Sequence, residues 1–238
     1  MKAKNLMSSQ TDRIAVDHTR AKIARLGRLL FDRHLTDSAG GNMSARVGDL
    51  ICMSPSYSGS KRQWHLQPED VLIVDLDGNI LEGEGKITRE AHVHFKLHHE
   101  FGQHGTGVIH AHSRNLLVFA AMAKSMPPVL EANLKFGEVK CVEYAPAHSP
   151  KLAENIAEAL RGQEDRIRKQ AAGVIAPWHG LFLIGKDIDA AFDAVERFDT
   201  NAYIILMAQQ AFGVTDLLAQ PRAELNAAVE HWADEWHE

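Results

Sequence analysis

Two short turn signals, Gly48-Asp49 and Asp77-Gly78, each sit between runs of strand-forming residues, and no other feature limits the fold of this chain as sharply. A two-residue turn of this kind joins neighbouring antiparallel strands, because its twist matches theirs. Asn42-Met-Ser-Ala-Arg-Val47 and Leu50-Ile-Cys-Met-Ser54 flank the first, while Val71-Leu-Ile-Val-Asp-Leu76 and Asn79-Ile-Leu-Glu82 flank the second. Further strands read at Gly107 to His112, Lys140 to Tyr144, Gly173 to Ala176 and Gly180 to Ile184. Between them lie helical stretches. Thr11 to about His34 places Ile14, Ile23, Leu26, Leu29 and Leu30 mostly on one face. Thr88 to about His99 has no Gly or Pro, and Arg114 to Ala123 follows Ser113 as its cap and stops before Pro127-Pro128.

Ser149 caps a helix from Pro150 through Leu160, with proline at its first position, and Asp187 or Asp189 opens a long one from about Ile188 to Phe212. Pro221 to Glu238 reads as a last helix with Trp232 and Trp236 on one face. Hairpins interleaved with helices predict an α/β chain whose largely antiparallel sheet carries helices on its faces. With no repeat, low-complexity segment or clear linker, the expectation is one domain over residues 1–238. Its first ten residues are polar and expected to be mobile, and residues 213–238 form a helical extension.

Within that scheme Gly107-Val-Ile-His-Ala-His-Ser113 carries the chemistry. On a strand, Val108, His110 and His112 share one face, so two imidazoles can close on one divalent ion. By themselves they read equally well as two satisfied histidines. His92 and His94 are a built-in contrast: on a helix, residues two apart diverge by about 200°, so that pair should not chelate one ion. His179, between two apolar strands and next to Gly180, is the best third ligand, with a turn histidine bonded to backbone as the alternative. Glu90, at the start of the helix leading to the histidine strand, is the nearest candidate proton carrier; a carboxylate there also simply suits the helix dipole. Asn42 with Ser44, Ser54 with Ser56, and Thr88 with Arg89 offer donors for an anion.

Composition narrows the classes. A net charge of −5 without a basic stripe argues against a nucleic-acid partner, and 45% hydrophobic with 24% charged residues is ordinary for a soluble globular protein. No apolar run approaches the roughly 18 residues of a membrane span. Cys52 and Cys141 lack metal-type spacing, and the N-terminus lacks the apolar core of a signal peptide, so a reducing cytoplasm is expected.

Taken in order, Gly41-Asn-Met-Ser-Ala-Arg46, Ser54-Pro-Ser56, Leu66-Gln-Pro-Glu-Asp-Val-Leu72, Glu90, Val108-Ile-His-Ala-His112, Tyr144-Ala-Pro146 and His179-Gly-Leu181 resemble the class II aldolase/adducin family. The resemblance runs from about Ile14 to Phe212. It implies a three-layer α/β/α fold and a homotetramer with active sites at subunit interfaces. It also implies a divalent ion, zinc first with manganese, cobalt or iron as alternatives, on His110, His112 and His179. Glu90 would be the acid/base, and Asn42, Ser56, Thr88 and Arg89 the anion-binding residues. The reaction implied is aldol cleavage or condensation of a small phosphorylated ketose through a metal-stabilised enediolate. Dehydratase, decarboxylase and 4-epimerase are alternatives, and a non-catalytic adducin-like scaffold is the rival from another class. Two departures stand out. Thr88-Arg89 replaces the paired serines of the family's fuculose-phosphate aldolases, so the anion could be a carboxylate. Glu131 falls near a catalytic tyrosine of those enzymes and resembles the acid/base of methylthioribulose-1-phosphate dehydratases, which makes it a second candidate catalytic residue.

Overall fold

The computed structural model describes residues 10–213 and 223–229. A long helix, α1 (Gln10–Asp32), leads into the first hairpin, β1 (Asn42–Val47) and β2 (Leu50–Met53), and then the second, β3 (Leu72–Asp75) and β4 (Ile80–Glu82). Helix α2 (Ala91–Phe101) precedes β5 (Gly107–Ala111). Two short helices follow, α3 (Leu116–Ala121) and α4 (Glu131–Leu134), then β6 (Lys140–Cys141), α5 (Pro150–Leu160) and α6 (Glu164–Lys169). The hairpin β7 (Ala171–Ala176) and β8 (Gly180–Gly185) leads into α7 (Ile188–Phe212). Residues 223–229 are helical, and the expected Trp232 and Trp236 pair lies outside the described residues.

All eight strands form one sheet in the order β4-β3-β2-β1-β5-β8-β7-β6. Every pairing is antiparallel except β6 with β7, so the sheet is largely antiparallel as expected, with one parallel pair at its edge. Strand alternation builds the layers. Ile109, Ala111, Leu181 and Leu183 pack on one face with Val16, Ile23 and Leu30 of α1 and Val195 and Phe198 of α7. Val108, Phe182 and Ile184 pack on the other with Val93, Leu97 and Phe101 of α2 and Leu152, Ile156 and Leu160 of α5. These side chains are nearly all fully buried, and each large one contributes roughly 1.5–3 kcal/mol by leaving water. Both faces of the central strands are covered, giving helix, sheet and helix layers.

Three boundaries differ from the sequence reading for physical reasons. Ser113 does not cap α3; Asp199, reaching across from α7, accepts from the Asn115 and Leu116 backbone N–H groups at 2.8 and 3.2 Å. A carboxylate supplied by tertiary structure thus replaces the local cap. The strand expected at Lys140–Tyr144 closes after Cys141, although Val142 still donates to the Ile175 carbonyl. Helix α6 lacks the length that would have made its periodicity visible. By contrast Asp187 caps α7 as read, accepting from the Ala190 N–H at 2.8 Å.

The hydroxyl-rich loop between β2 and β3 is pinned by Trp64, which is fully buried against α1. A Cβ at Gly27 would stand 2.4 Å from the Trp64 ring, so a helical glycine makes room for the indole. That anchor fixes the loop so that Ser58, Gly59 and Ser60 form one wall of a pocket.

Candidate active site

The pocket opens where β1, β5 and the β7–β8 turn meet. It has a volume of about 220 Å³, and its lining includes Asn42, Ser56, Thr88, Arg89, Glu90, His110, His112, His148 and His179. The sheet register explains the first convergence: Asn42 of β1 lies directly opposite His110 of β5, and directly opposed residues share a face. His112 follows β5 on that same face, and His179 enters from the turn between β7 and β8.

The three imidazoles offer ligand nitrogens that all lie within 4.8 Å of one another. His110 is fully buried, stacks on Phe182 with ring centroids 4.1 Å apart, and donates from Nδ1 to the Leu181 carbonyl at 2.9 Å. That bond leaves the lone pair on Nε2, which stands 3.1 Å from His112 Nε2. His112 Nδ1 faces Asp37 Oδ1 at 3.3 Å, a carboxylate partner of the kind that orients a ligating histidine. Glycine permits the crowding: a Cβ at Gly180 would meet the Ala111 carbonyl at 2.7 Å and His112 Cδ2 at 3.0 Å. Burial first, and then the neighbouring imidazoles, hold His110 well below the usual histidine range. Burial likewise lowers His112, against the opposing pull of Asp37. Neutral imidazoles are the form that binds a metal, and three nitrogens converging beside an open pocket fit a divalent ion.

Glu90 is the N-cap residue of α2 but does not cap it; its side chain turns into the site instead. Oε1 lies 2.9 Å from His148 Nδ1 and 3.2 Å from His179 Nε2, while Oε2 is buried with no protein partner among the described residues. Burial would raise its pKa, but the hydrogen bond with His179 first, and then His148, outweigh burial and hold it below the usual carboxylate range. A buried carboxylate kept ionised beside three imidazoles and carrying an orphaned oxygen is suited to accept a proton or face a cation.

The proposed anion-binding residues separate. Asn42, Ser56, Thr88 and Arg89 line the pocket, with Arg89 exposed at its mouth. The Ser56 hydroxyl, however, donates to the Ile87 carbonyl at 2.6 Å, so its proton is spent on the loop. Ser54 is buried and accepts from the Met43 N–H, and Ser44 lies beneath the pocket floor against two histidines. Neither faces a ligand. Glu131 is exposed in α4 and does not line the pocket within one chain.

The places of His148, Asp37, His94 and His98 at or beneath the site do not follow from the sequence patterns above. For the last two a signal existed: Glu90, His94 and His98 recur every fourth residue and so share one face of α2. The i, i+2 pair of His92 and His94 crosses that series, and only His94 belongs to it. His148 sits in a loop in the left-handed region, φ 67°, where nothing local announces it.

The model of the class II aldolase and adducin N-terminal domain matches residues 21–206. An L-fuculose phosphate aldolase of Methanococcus maripaludis is 35% identical over 181 residues, covering 76% of this chain and 92% of its own. A 3-oxo-tetronate 4-phosphate decarboxylase of Haemophilus influenzae is 26% identical over 204 residues, 82% and 90% of the two chains. Among solved structures, an L-fuculose 1-phosphate aldolase superposes with a TM-score of 0.74 at 25% identity, covering 91% of this chain and 96% of that one.

Proposed function

Since this chain belongs to the class II aldolase and adducin family, we propose that it is a divalent-metal-dependent lyase that cleaves or joins a carbon–carbon bond in a small phosphorylated ketose. The observation that carries this reading is the convergence of the His110, His112 and His179 nitrogens with the buried Glu90 carboxylate on one open pocket. Three histidine ligands leave a fourth position free for substrate, the arrangement expected of a catalytic zinc; manganese, cobalt and iron are the alternatives. A divalent ion there would polarise a substrate carbonyl and stabilise negative charge developing on its oxygen.

The residues of the chain supply the rest. Glu90 starts ionised, so in the condensation direction it takes the proton from the carbon next to the carbonyl. In cleavage it would take the proton of the hydroxyl on the carbon that becomes the aldehyde and deliver it to the carbon left holding the bonding electrons; in condensation it would give the proton it took to the new hydroxyl oxygen. His148 and His179 hold Oε1 and steady the carboxylate. Asn42, Thr88 and Arg89 form the end of the pocket for an anion, phosphate or carboxylate, with Ser56 shaping the wall. The active unit is a single domain assembled as a homotetramer in the cytoplasm. No described helix is long and apolar enough to cross a membrane. Glu131 would enter the chemistry only from a neighbouring copy.

The test is a panel of phosphorylated ketoses and oxo-acids with added zinc, manganese or cobalt, read for aldehyde, dihydroxyacetone phosphate and carbon dioxide. Aldehyde release that a chelator abolishes is the expected result. Glu90→Gln should keep the ion and lose activity by roughly 10²–10⁴-fold, the usual worth of a positioned acid/base. Full activity in that variant would sink the proton-carrier role. The Haemophilus influenzae relative supports decarboxylation as the second reading, and carbon dioxide without aldehyde would establish it.

A further inference from the structure

Beneath the pocket floor runs a chain of four buried polar side chains. His98 Nε2 lies 2.7 Å from Ser44 Oγ, Ser44 Oγ lies 2.6 Å from His94 Nδ1, and His94 Nε2 lies 2.5 Å from Asn42 Oδ1. His94, His98 and Ser44 are fully buried, and only Asn42 reaches the pocket. We infer that His98, Ser44 and His94 form a one-way hydrogen-bond relay that holds the Asn42 amide with its NH2 group turned into the pocket. His94 and His98 are then positioning residues for a substrate group bearing acceptor oxygens.

The direction follows from the closed end. His98 Nδ1 is buried and has no partner among the described residues. An orphaned buried N–H is far rarer than an unused lone pair, so the ring carries its one proton on Nε2. His98 therefore donates to Ser44. With its acceptor side taken, the Ser44 hydroxyl donates to His94 Nδ1. That leaves the His94 proton on Nε2, which donates to the Asn42 carbonyl oxygen, and the amide nitrogen is the end left for the pocket. Burial supports the premise of neutral rings, since it lowers both histidines below their ordinary range. Asn42 thus presents donors only, which suits phosphate or carboxylate oxygens and turns away donor groups. The substrate class rests on the anion-binding reading above; the relay does not.

The decisive measurement is the long-range proton–nitrogen spectrum of the full chain carrying ¹⁵N-labelled histidine. Both His94 and His98 should show the Nε2–H tautomer. An Nδ1–H tautomer on either ring overturns the relay, and this readout needs no variant and no substrate. Binding of inorganic phosphate to the metal-free full chain gives the functional arm. His94→Leu should weaken it about tenfold, the loss expected when a donor to a charged group is no longer held in place. His94→Gln can still accept from Ser44 and donate to Asn42, so it should stay within about threefold of the parent. A residue that only filled space would tolerate Leu better than Gln, and that order would also overturn the proposal. If the parent chain binds no phosphate, the anion-binding reading fails while the tautomers still decide the relay.

Discussion

Gly40 and His112 are in such close contact that a Cβ at position 40 would stand 2.0 Å from His112 Cε1 and 2.4 Å from its Nε2. The His112 ring is therefore seated in space that only a residue without a side chain leaves open. Gly40→Ala should displace the imidazole and weaken zinc binding by roughly 10–100-fold, as loss of a supporting contact typically does. Titration against a competing chelator measures it. Parent-like affinity would mean that the ring and its loop relax freely.

Asp37 holds the same ring through Nδ1. Asp37→Ala should also cost about 10–100-fold in metal affinity. Because both changes act on one imidazole, combining them with Gly40→Ala should cost less than the sum of the two free energies. Simple additivity in that double-mutant cycle would show that the two residues act on separate parts of the site.

His148 helps to keep the Glu90 carboxyl below its usual range. His148→Asn removes the imidazole while keeping a residue tolerant of the left-handed backbone that position 148 adopts. The folded-state pKa of Glu90 should rise, so the acid limb of the kcat/KM profile should move to higher pH. An unmoved limb would show that another group governs it.

His94 is held at about 4 by burial, against 6.5 for an ordinary histidine. Between those two values the unfolded chain binds a proton that the folded chain excludes, so stability must fall as pH falls through this window. The contribution of this one group approaches roughly 3 kcal/mol by pH 4, at about 1.4 kcal/mol per unit. His98 is shifted in the same direction. Urea unfolding at pH 7 and pH 4.5 should show a large loss for the parent chain and a smaller one for His94→Gln; equal losses would contradict the burial argument.

Glu131→Gln provides a direct test of assembly-borne catalysis. The residue is exposed and does not line the pocket of its own chain. If neighbouring copies complete each other's sites, the variant should lose activity at least tenfold with unchanged metal content. If Glu131 is a surface charge, kcat will match the parent.

Most of the layered fold and the metal-type cluster could be read from the sequence, because both rest on short-range patterns. Alternation in Val108-Ile-His-Ala-His112 fixed which face the imidazoles share, and the Gly48-Asp49 and Asp77-Gly78 turns fixed two strand pairs. What escaped depends on contacts between distant segments. Asp199 caps α3 from another helix, and Asp37 and His148 reach the site from loops with no periodicity. The Ser56 hydroxyl looks free in the sequence, yet the return of the chain at Ile87 consumes it. Within α2 the fourfold spacing of Glu90, His94 and His98 was visible, but its meaning required β1 to lie alongside and supply Ser44 and Asn42.

The two outermost strands have a consequence for assembly. β4 has three residues and β6 only two, and Glu82 at the β4 edge is engaged by Arg13 and Arg20. Such stubs expose few unpaired backbone groups and carry charge, which discourages another chain from continuing the sheet. Any association between copies would therefore avoid the sheet edges, which leaves each histidine cluster on the scaffold of its own chain.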